Sequence, residues 1–212
     1  GYEADDVIGT LATEAGRQGI TTYMMTPDKD YGQLVSDRVF MYRPKHTGGF
    51  EVMGTEEVKT KFNIQTTEQV IDMLGLMGDA SDNIPGCPGV GEKTAQKLVA
   101  EFGSIENLLA HTDQLKGALK TKVEANREMI TFSKFLATIK VDVPIKLDMT
   151  TLVREEPDEE KLRKIFEELE FRTLIDRVLK KSGAPLSSSS NSVSPDLYAG
   201  TLFARPVDSP TP

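Results

Sequence analysis

The sequence has one cysteine in 212 residues, Cys87, so no internal disulfide framework staples the fold and a reducing cytoplasm suits it best. It has no apolar run near the ~20 residues needed to span a bilayer and no stretch resembling a signal peptide, which argues against a membrane role. It also lacks an excess of positive charge. Its 25 Lys and Arg stand against 33 Asp and Glu, a net charge of −8. Coating of nucleic acid by bulk electrostatics is therefore excluded, and any such binding has to come from local basic patches or bound metal. A starting methionine is missing too. Gly1 opens directly onto a helical pattern, which suggests a fragment.

What is present is a globular composition, with 38% hydrophobic residues, enough for one sizeable domain or two small ones. Val7, Ile8, Leu11, Ala12 and Ala15 recur at helical spacing and predict a helix over 4–15 that exits at Gly16 and Gly19. Ile20 to Met25 is short, apolar and without alternation, as expected of a strand buried on both faces. Helix followed by buried strand indicates an α/β layer. The segments 39–42 and 50–53 flank Thr47-Gly48-Gly49 and read as a hairpin at a sheet edge. Thr66 with Gln69 forms a capping-box pattern ahead of Val70, Ile71, Leu74 and Met77. Helices are expected over 93–102, closed by Gly103, after Ser104 as a cap, and as one longer helix over 122–139. The segment 141–147 reads as extended around Pro144. Leu162, Ile165, Phe166 and Leu169 form a helical stripe over 158–171, and Leu174 to Leu179 continue the apolar pattern. Beyond Ser182 the composition turns to serine, proline and small residues, the mark of a linker.

Carboxylates gather in three places. Glu3, Asp5 and Asp6 open the first helix, where acids also simply stabilise a helix N-terminus by about 0.3–1 kcal/mol each. Asp28 and Asp30 flank Lys29 just after the predicted strand, and ligands of open α/β sheets collect at strand C-termini. A solvated turn nucleated by Pro27 would look the same. So would the start of a haloacid-dehalogenase-type phosphatase, although that family wants a Thr where Gly32 stands. Asp79 and Asp82 form the third group, which could equally be turn and cap chemistry. An EF-hand is excluded, since its alternating ligands and closing Glu are absent. Acids brought together from a helix start, a strand end and a turn, with Lys29 the one cation inside these motifs, need divalent cations to coexist. Hard oxygen donors with room for water suit Mg²⁺ or Mn²⁺.

Directly after Asp82 comes a glycine-rich turn, Gly86 to Gly91, opening a basic helix. Gly89 and Gly91 allow close backbone approach, and free N–H groups at a helix start form an anion site. Lys93 and Lys97 add charge one turn apart, so a phosphate is the natural guest. The same phosphate would be repelled by Asp79 and Asp82 unless cations stood between them.

The segments GYEADDVIGTLA, TPDKDYGQL, GLMGDASDNIPGCPGVGEKTAQKL and LEFRTLIDRV closely resemble the 5′-nuclease domain of bacterial DNA polymerases of the polymerase I family, within the flap-endonuclease superfamily. The resemblance spans roughly residues 1–181. It implies an α/β, PIN-like nuclease core with a helix–three-turn–helix DNA-binding subdomain. Along the chain this places the C-terminal part of the core in 1–77, the helix–three-turn–helix and following helices in 78–181, and a linker toward proofreading and polymerase domains in 182–212. It further implies 5′→3′ exonuclease and flap endonuclease activity, on DNA with 5′ flaps, nicks or 5′ ends and on RNA primers, by a bacterial cytoplasmic monomer. Carried over, Glu3, Asp5, Asp6, Asp28, Asp30, Asp79 and Asp82 match the family's metal-site acids, with Asp5, Asp28, Asp30, Asp79 and Asp82 closest to the chemistry. Gly86, Gly89, Val90, Gly91, Lys93, Thr94 and Lys97 match the element that grips duplex backbone and, in the family, holds K⁺ through main-chain carbonyls. The family's domain begins earlier than Gly1, with two further aspartates and the basic residues of a helical arch, so this piece alone is expected to be inactive or nearly so. Pro27 stands where a small residue is usual. The chemistry implied is two-metal phosphodiester hydrolysis with no protein nucleophile. A DNA-binding module without cleavage is the alternative reading.

The remaining candidates read as structural. Cys87 has no cysteine or histidine neighbour in its turn, His46 and His111 fall in connections, Met24 and Met25 fill the strand, and Tyr2 and Tyr31 are core or surface residues rather than base-stacking groups.

Overall fold

The computed structural model describes residues 1–45 and 47–179, so His46 and the predicted linker from Ser182 lie outside the described residues. The described chain divides into two units, Gly1–Leu147 and a second that begins at Asp148.

In the first unit, helix α1 (Ala4–Arg17) leads into strand β1 (Thr22–Met25), a 3-10 turn (Lys29–Leu34) and the hairpin β2 (Val39–Pro44) and β3 (Phe50–Met53). β1 runs parallel to β2, with Met24 opposite Met41, and β2 pairs antiparallel with β3, with Met41 opposite Met53. These three methionines lie on the buried side of the sheet. Being unbranched and polarisable, methionine fits the irregular space under a twisted sheet.

The predicted double burial of β1 does not hold. Tyr23 and Met25 are 46% and 59% exposed while Met24 is buried, because β1 pairs only with β2 and one face of this small sheet carries no covering layer among the described residues. Tyr23 stacks instead on Phe40 of β2, and Tyr42 on Phe50.

Helices α2 (Thr55–Phe62) and α3 (Gln69–Met77) follow the hairpin. The predicted cap before α3 is realised on one side: Gln69 Oε1 accepts the Thr66 and Gln65 N–H groups. Helix α3 is the buried axis of the unit. Val70, Met73, Leu74 and Leu76 are all 1% exposed or less. Around α3 pack α4 (Glu92–Phe102), α5 (Ile105–Ala110) and, most extensively, α7 (Arg127–Ala137), which follows α6 (Gly117–Ala125). Gly103 closes α4 at φ +77, and the Ser104 hydroxyl caps α5 by accepting the Asn107 N–H.

The single long helix expected over 122–139 is instead two, divided at Asn126. Its side-chain amide donates to the Lys122 carbonyl at 2.7 Å, competing with the next helical turn for that acceptor. Gly75 on α3 lets α7 approach: a Cβ there would lie 3.0 Å from the Lys134 backbone.

In the second unit, Asp158 caps α8 (Glu159–Glu168) by accepting the Lys161 N–H. Helical turns at Arg172–Leu174 and Ile175–Leu179 pack back on α8, yet the predicted stripe stays partly open, with Ile165 and Leu169 about half exposed. No helix among the described residues is long and apolar enough to cross a membrane.

Candidate metal centre

The acids after β1 are held by their own backbone. Thr26 Oγ1 accepts the Asp28 N–H, and Asp28 Oδ1 in turn accepts the Asp30 N–H at 3.0 Å, which starts the 3-10 turn. This Asx-type arrangement aims Asp30 inward, where it is 7% exposed. Gln33 fixes it from the other side, donating to the Asp30 and Ala137 carbonyls and accepting the Ile139 N–H.

Asp79 and Asp82 sit on a tight loop closed by a two-hydrogen-bond bridge between Asp79 and Ile84. Within it, Asp79 Oδ1 accepts the Ser81 N–H at 2.8 Å, and Asn83 turns the chain at φ +57. The loop buries Asp79 and leaves Asp82 exposed. Carboxylate oxygens of Asp30, Asp79 and Asp82 all lie within 4.8 Å of one another. Lys29 donates to Asp79 and stands 3.8 Å from Asp30.

Electrostatics follow from this crowding. Burial, then the Asp28 charge, pushes the Asp30 carboxyl up to about 7. Partial desolvation, then the charges of Asp79, Asp28 and Asp5, also raises Asp82. Burial alone would raise Asp79 as well, but hydrogen bonds from Lys29 and Ser81 outweigh it and hold Asp79 below the ordinary range. Among the described residues, the buried Asp30 Oδ1 has no hydrogen-bond partner. A set of hard oxygen donors with one buried acceptor unused fits a divalent cation.

The acids at the start of α1 stand outside that close group and line an adjoining cleft. Asp5 accepts the Tyr31 hydroxyl at 2.8 Å, which ties α1 to the 3-10 turn. Asp6 spends both oxygens on backbone: Oδ2 accepts the Glu3 N–H and Oδ1 the Lys140 N–H. Asp6 is thus a helix cap that also clamps the chain after α7, and Glu3 is exposed at the cap position. A cleft of about 760 Å³ is lined by Glu3, Asp5, Asp6, Asp30 and Asp82. A second, of about 390 Å³, is lined by Asp28, Lys29, Arg43, Lys61, Asp79 and Asp82. Asp82 borders both.

Beside the acids, the turn Gly86 to Gly91 packs its own backbone tightly. Gly86, at φ +64, lies where a Cβ would come 2.4 Å from the Gly78 nitrogen, and Gly89, at φ +76, faces the Lys122 amine. Gly91 has an ordinary φ of −96 and open space around it, at the N-terminus of α4. Lys93 and Lys97 are exposed and Thr94 half-buried. Val90 and Gly86 are buried, so neither presents surface of its own to a partner. Cys87 is a buried free thiol, pushed up by that burial, and His111 is exposed with its ring against the Asn107 carbonyl.

Tyr31 and Gln33, which hold these acids, and Arg43 and Lys61, which line the smaller cleft, went unidentified in the sequence. Tyr31 and Gln33 lie beside the Asp28 and Asp30 motif, which is the one signal that could have drawn attention to them. Arg43 and Lys61 arrive from the hairpin and α2, and nothing local marks them.

Two family models cover most of the chain in succession. One, described as 5′-3′ exonuclease, N-terminal resolvase-like domain, matches residues 1–63; the other, 5′-3′ exonuclease, C-terminal SAM fold, matches residues 65–160. "DNA polymerase I, thermostable" of Thermus filiformis is 44% identical over 82% of this chain and 20% of its own length. The chain thus spans about a fifth of that relative. Among solved structures, T5 5′-exonuclease with divalent metal ions (zinc) bound superposes with a TM-score of 0.58 at 25% identity, over 66% of this chain and 51% of that one. The catalytic core of Rad2 in complex with DNA substrate shares the fold, with a TM-score of 0.53 at 17% identity over 83% and 61% of the two chains. By two successive family matches and a shared fold, the chain belongs to the 5′-3′ exonuclease family.

Proposed function

We propose that this chain supplies the metal-binding acids and the duplex-gripping turn of a 5′→3′ exonuclease and flap endonuclease domain that hydrolyses DNA phosphodiesters without reading base sequence. The observation that carries this reading is the convergence of Asp30, Asp79 and Asp82, within 4.8 Å, with a buried Asp30 oxygen unused.

Asp28, Asp30, Asp79 and Asp82 would hold one cation, with Asp5 shared toward a second, and Glu3 and Asp6 at the rim. Two bound divalent cations supply a water of lowered pKa and neutralise charge on the phosphate. The chain's own groups set the geometry. Tyr31 fixes the Asp5 carboxylate, Gln33 and the Asp28 turn fix Asp30, and Lys29 holds Asp79 while keeping two carboxylates from repelling each other.

Gly89, Gly91, Lys93, Thr94 and Lys97 would engage duplex phosphates, with K⁺ a candidate ion at the turn carbonyls. Backbone contacts set register without sequence information. DNA bearing 5′ flaps, nicks or 5′ ends, or an RNA primer end, is then distinguished by shape. The working form would be a monomer in the bacterial cytoplasm.

The test is a 5′-flap duplex incubated with Mn²⁺ and the complete polymerase chain carrying these residues. Cleavage should fall at least 100-fold with Asp82→Ala, and duplex binding should weaken with Lys93→Ala. Undiminished cleavage by the Asp82→Ala protein refutes the assignment; binding without any product favours a non-catalytic module.

A further inference from the structure

Two basic side chains on the wall of the smaller cleft have no role in the site described so far. Arg43 lies at the far end of β2 and Lys61 in the last turn of α2, and both line the cleft together with Asp28, Asp79, Ser81 and Asp82. Arg43 is only partly engaged. Its Nη1 donates to Met53 Sδ at 3.4 Å and stands 3.7 Å from Glu51, while Nε is buried with no hydrogen-bond partner among the described residues. With Glu51 reaching only Nη1 and a second cation nearby, the guanidinium is left short of an acceptor. Lys61 is exposed beside it. Partial desolvation and then the Arg43 charge hold its amine below the ordinary lysine value. Across the cleft stand the carboxylates that would carry the cation, so an anion entering here meets positive charge on both sides.

We propose that Arg43 and Lys61 form a seat for a DNA backbone phosphate in the cleft bordered by Asp28, Asp79 and Asp82, positioning the strand against the metal-site acids. The inference rests on the nuclease reading and deepens it. Guanidinium is suited to the task, since its planar fork matches phosphate oxygens, whereas Lys61 adds a point charge. Glu51 competes for Arg43 in the absence of DNA. These are positioning residues and touch none of the acids.

The test is fluorescence anisotropy of a labelled 5′-flap duplex binding to the full chain in Ca²⁺, an oxygen-preferring ion that screens the acids, over a range of salt concentrations. The paired substitution Arg43→Met with Lys61→Met should weaken binding about tenfold and reduce the slope of log affinity against log salt by about 1, the signature of one lost phosphate. Glu51→Gln should tighten binding about threefold by releasing Arg43, a change of opposite sign that misfolding cannot imitate. A matched ion pair provides the control. Arg17 and Glu14 lie 4.0 Å apart at the far end of α1, and that helix is about 20 Å long. Arg17→Met and Glu14→Gln should leave both slope and affinity unchanged.

If the paired variant binds as wild type while Lys93→Ala binds weakly, the phosphate seat is refuted and the nuclease reading survives. If Arg17→Met loses as much as the paired variant, the effect is bulk charge and the seat is refuted. If the wild-type chain fails to bind the duplex at all, both fall. Should the paired variant not fold, Glu51→Gln decides alone: tightening beyond that of Glu14→Gln upholds the seat, and equal affinity refutes it.

Discussion

At the scale of single residues, Asp30 is the side chain whose surroundings suit it least when no cation is near. It is buried, faces Asp28 and has one oxygen without a hydrogen-bond partner among the described residues, with Lys29 the cation 3.8 Å from that oxygen. Asp30→Asn should therefore raise the thermal midpoint in EDTA by about 3 °C, on the scale of ~1 kcal/mol for a chain this size, while weakening Mn²⁺ binding at least tenfold by calorimetry. A midpoint lower than wild type in EDTA would show that the carboxylate is stabilising as it stands. The close group of Asp30, Asp79 and Asp82 was legible in the sequence because these acids sit at chain features, a strand end and a tight turn. The groups that orient them were not. The Tyr31 bond to Asp5 spans 26 positions, and Gln33 reaches Ala137 across 104, so only folding reveals either.

At the scale of elements, three helices meet on one carboxylate. Asp72 of α3 accepts the Ile105 N–H that opens α5 at 2.8 Å and the Lys134 ammonium of α7 at 2.6 Å, while Lys134 also reaches Glu106 at 2.8 Å. Removing the cation leaves a buried charge with only a backbone donor. Lys134→Met should thus cost about 3 kcal/mol in urea unfolding. The pH dependence has a definite sign. Burial tends to raise Glu106, but its hydrogen bond from Lys134 outweighs this and holds it below 4.5. Its stabilising contribution is therefore present above the unfolded value and is lost as pH falls through the lowered folded one. Burial tends to lower Lys134, yet bonds to Asp72 and Glu106 raise it above 10.5, so that contribution is present below 10.5 and lost as pH rises beyond it. Unfolding of Lys134→Met measured between pH 3 and 6 should show a shallower acid loss than wild type; parallel curves would deny the linkage.

Element boundaries show the same division between legible and hidden. Helix α1, the hairpin and the Gly103 stop were readable from periodicity and turn chemistry. The break at Asn126 was not, since asparagine within an otherwise helical pattern looks ordinary until its amide takes the Lys122 carbonyl. The open face of β1 was hidden because an apolar run does not reveal which of its faces finds a covering layer. Helix α2 escaped notice for want of a strong stripe: only Val58 and Phe62 are buried on it.

At the scale of the whole molecule, a net charge of −8 sets the response to cations. A ligand bound only by the folded state stabilises it by mass action, about 2.7 kcal/mol at a hundredfold excess over Kd. Adding Mn²⁺ should therefore raise the thermal midpoint of the chain, and the rise should vanish in a paired Asp79→Asn, Asp82→Asn variant measured by calorimetry. An equal rise in that variant would mean that the ion acts by general screening of the acidic surface. The negative total is also why composition pointed away from nucleic acid while the local pattern pointed toward it. Lys93 and Lys97 are exposed on a helix, and their charge is local rather than summed.

Asp82 borders two clefts at once. A party wall of this kind makes the chambers on either side interdependent: positive charge admitted to one drains negative potential from the other. Occupancy on the α1 side and on the hairpin side would then be sequential rather than independent, with the first arrival making the second harder to recruit unless an incoming phosphate restores the balance.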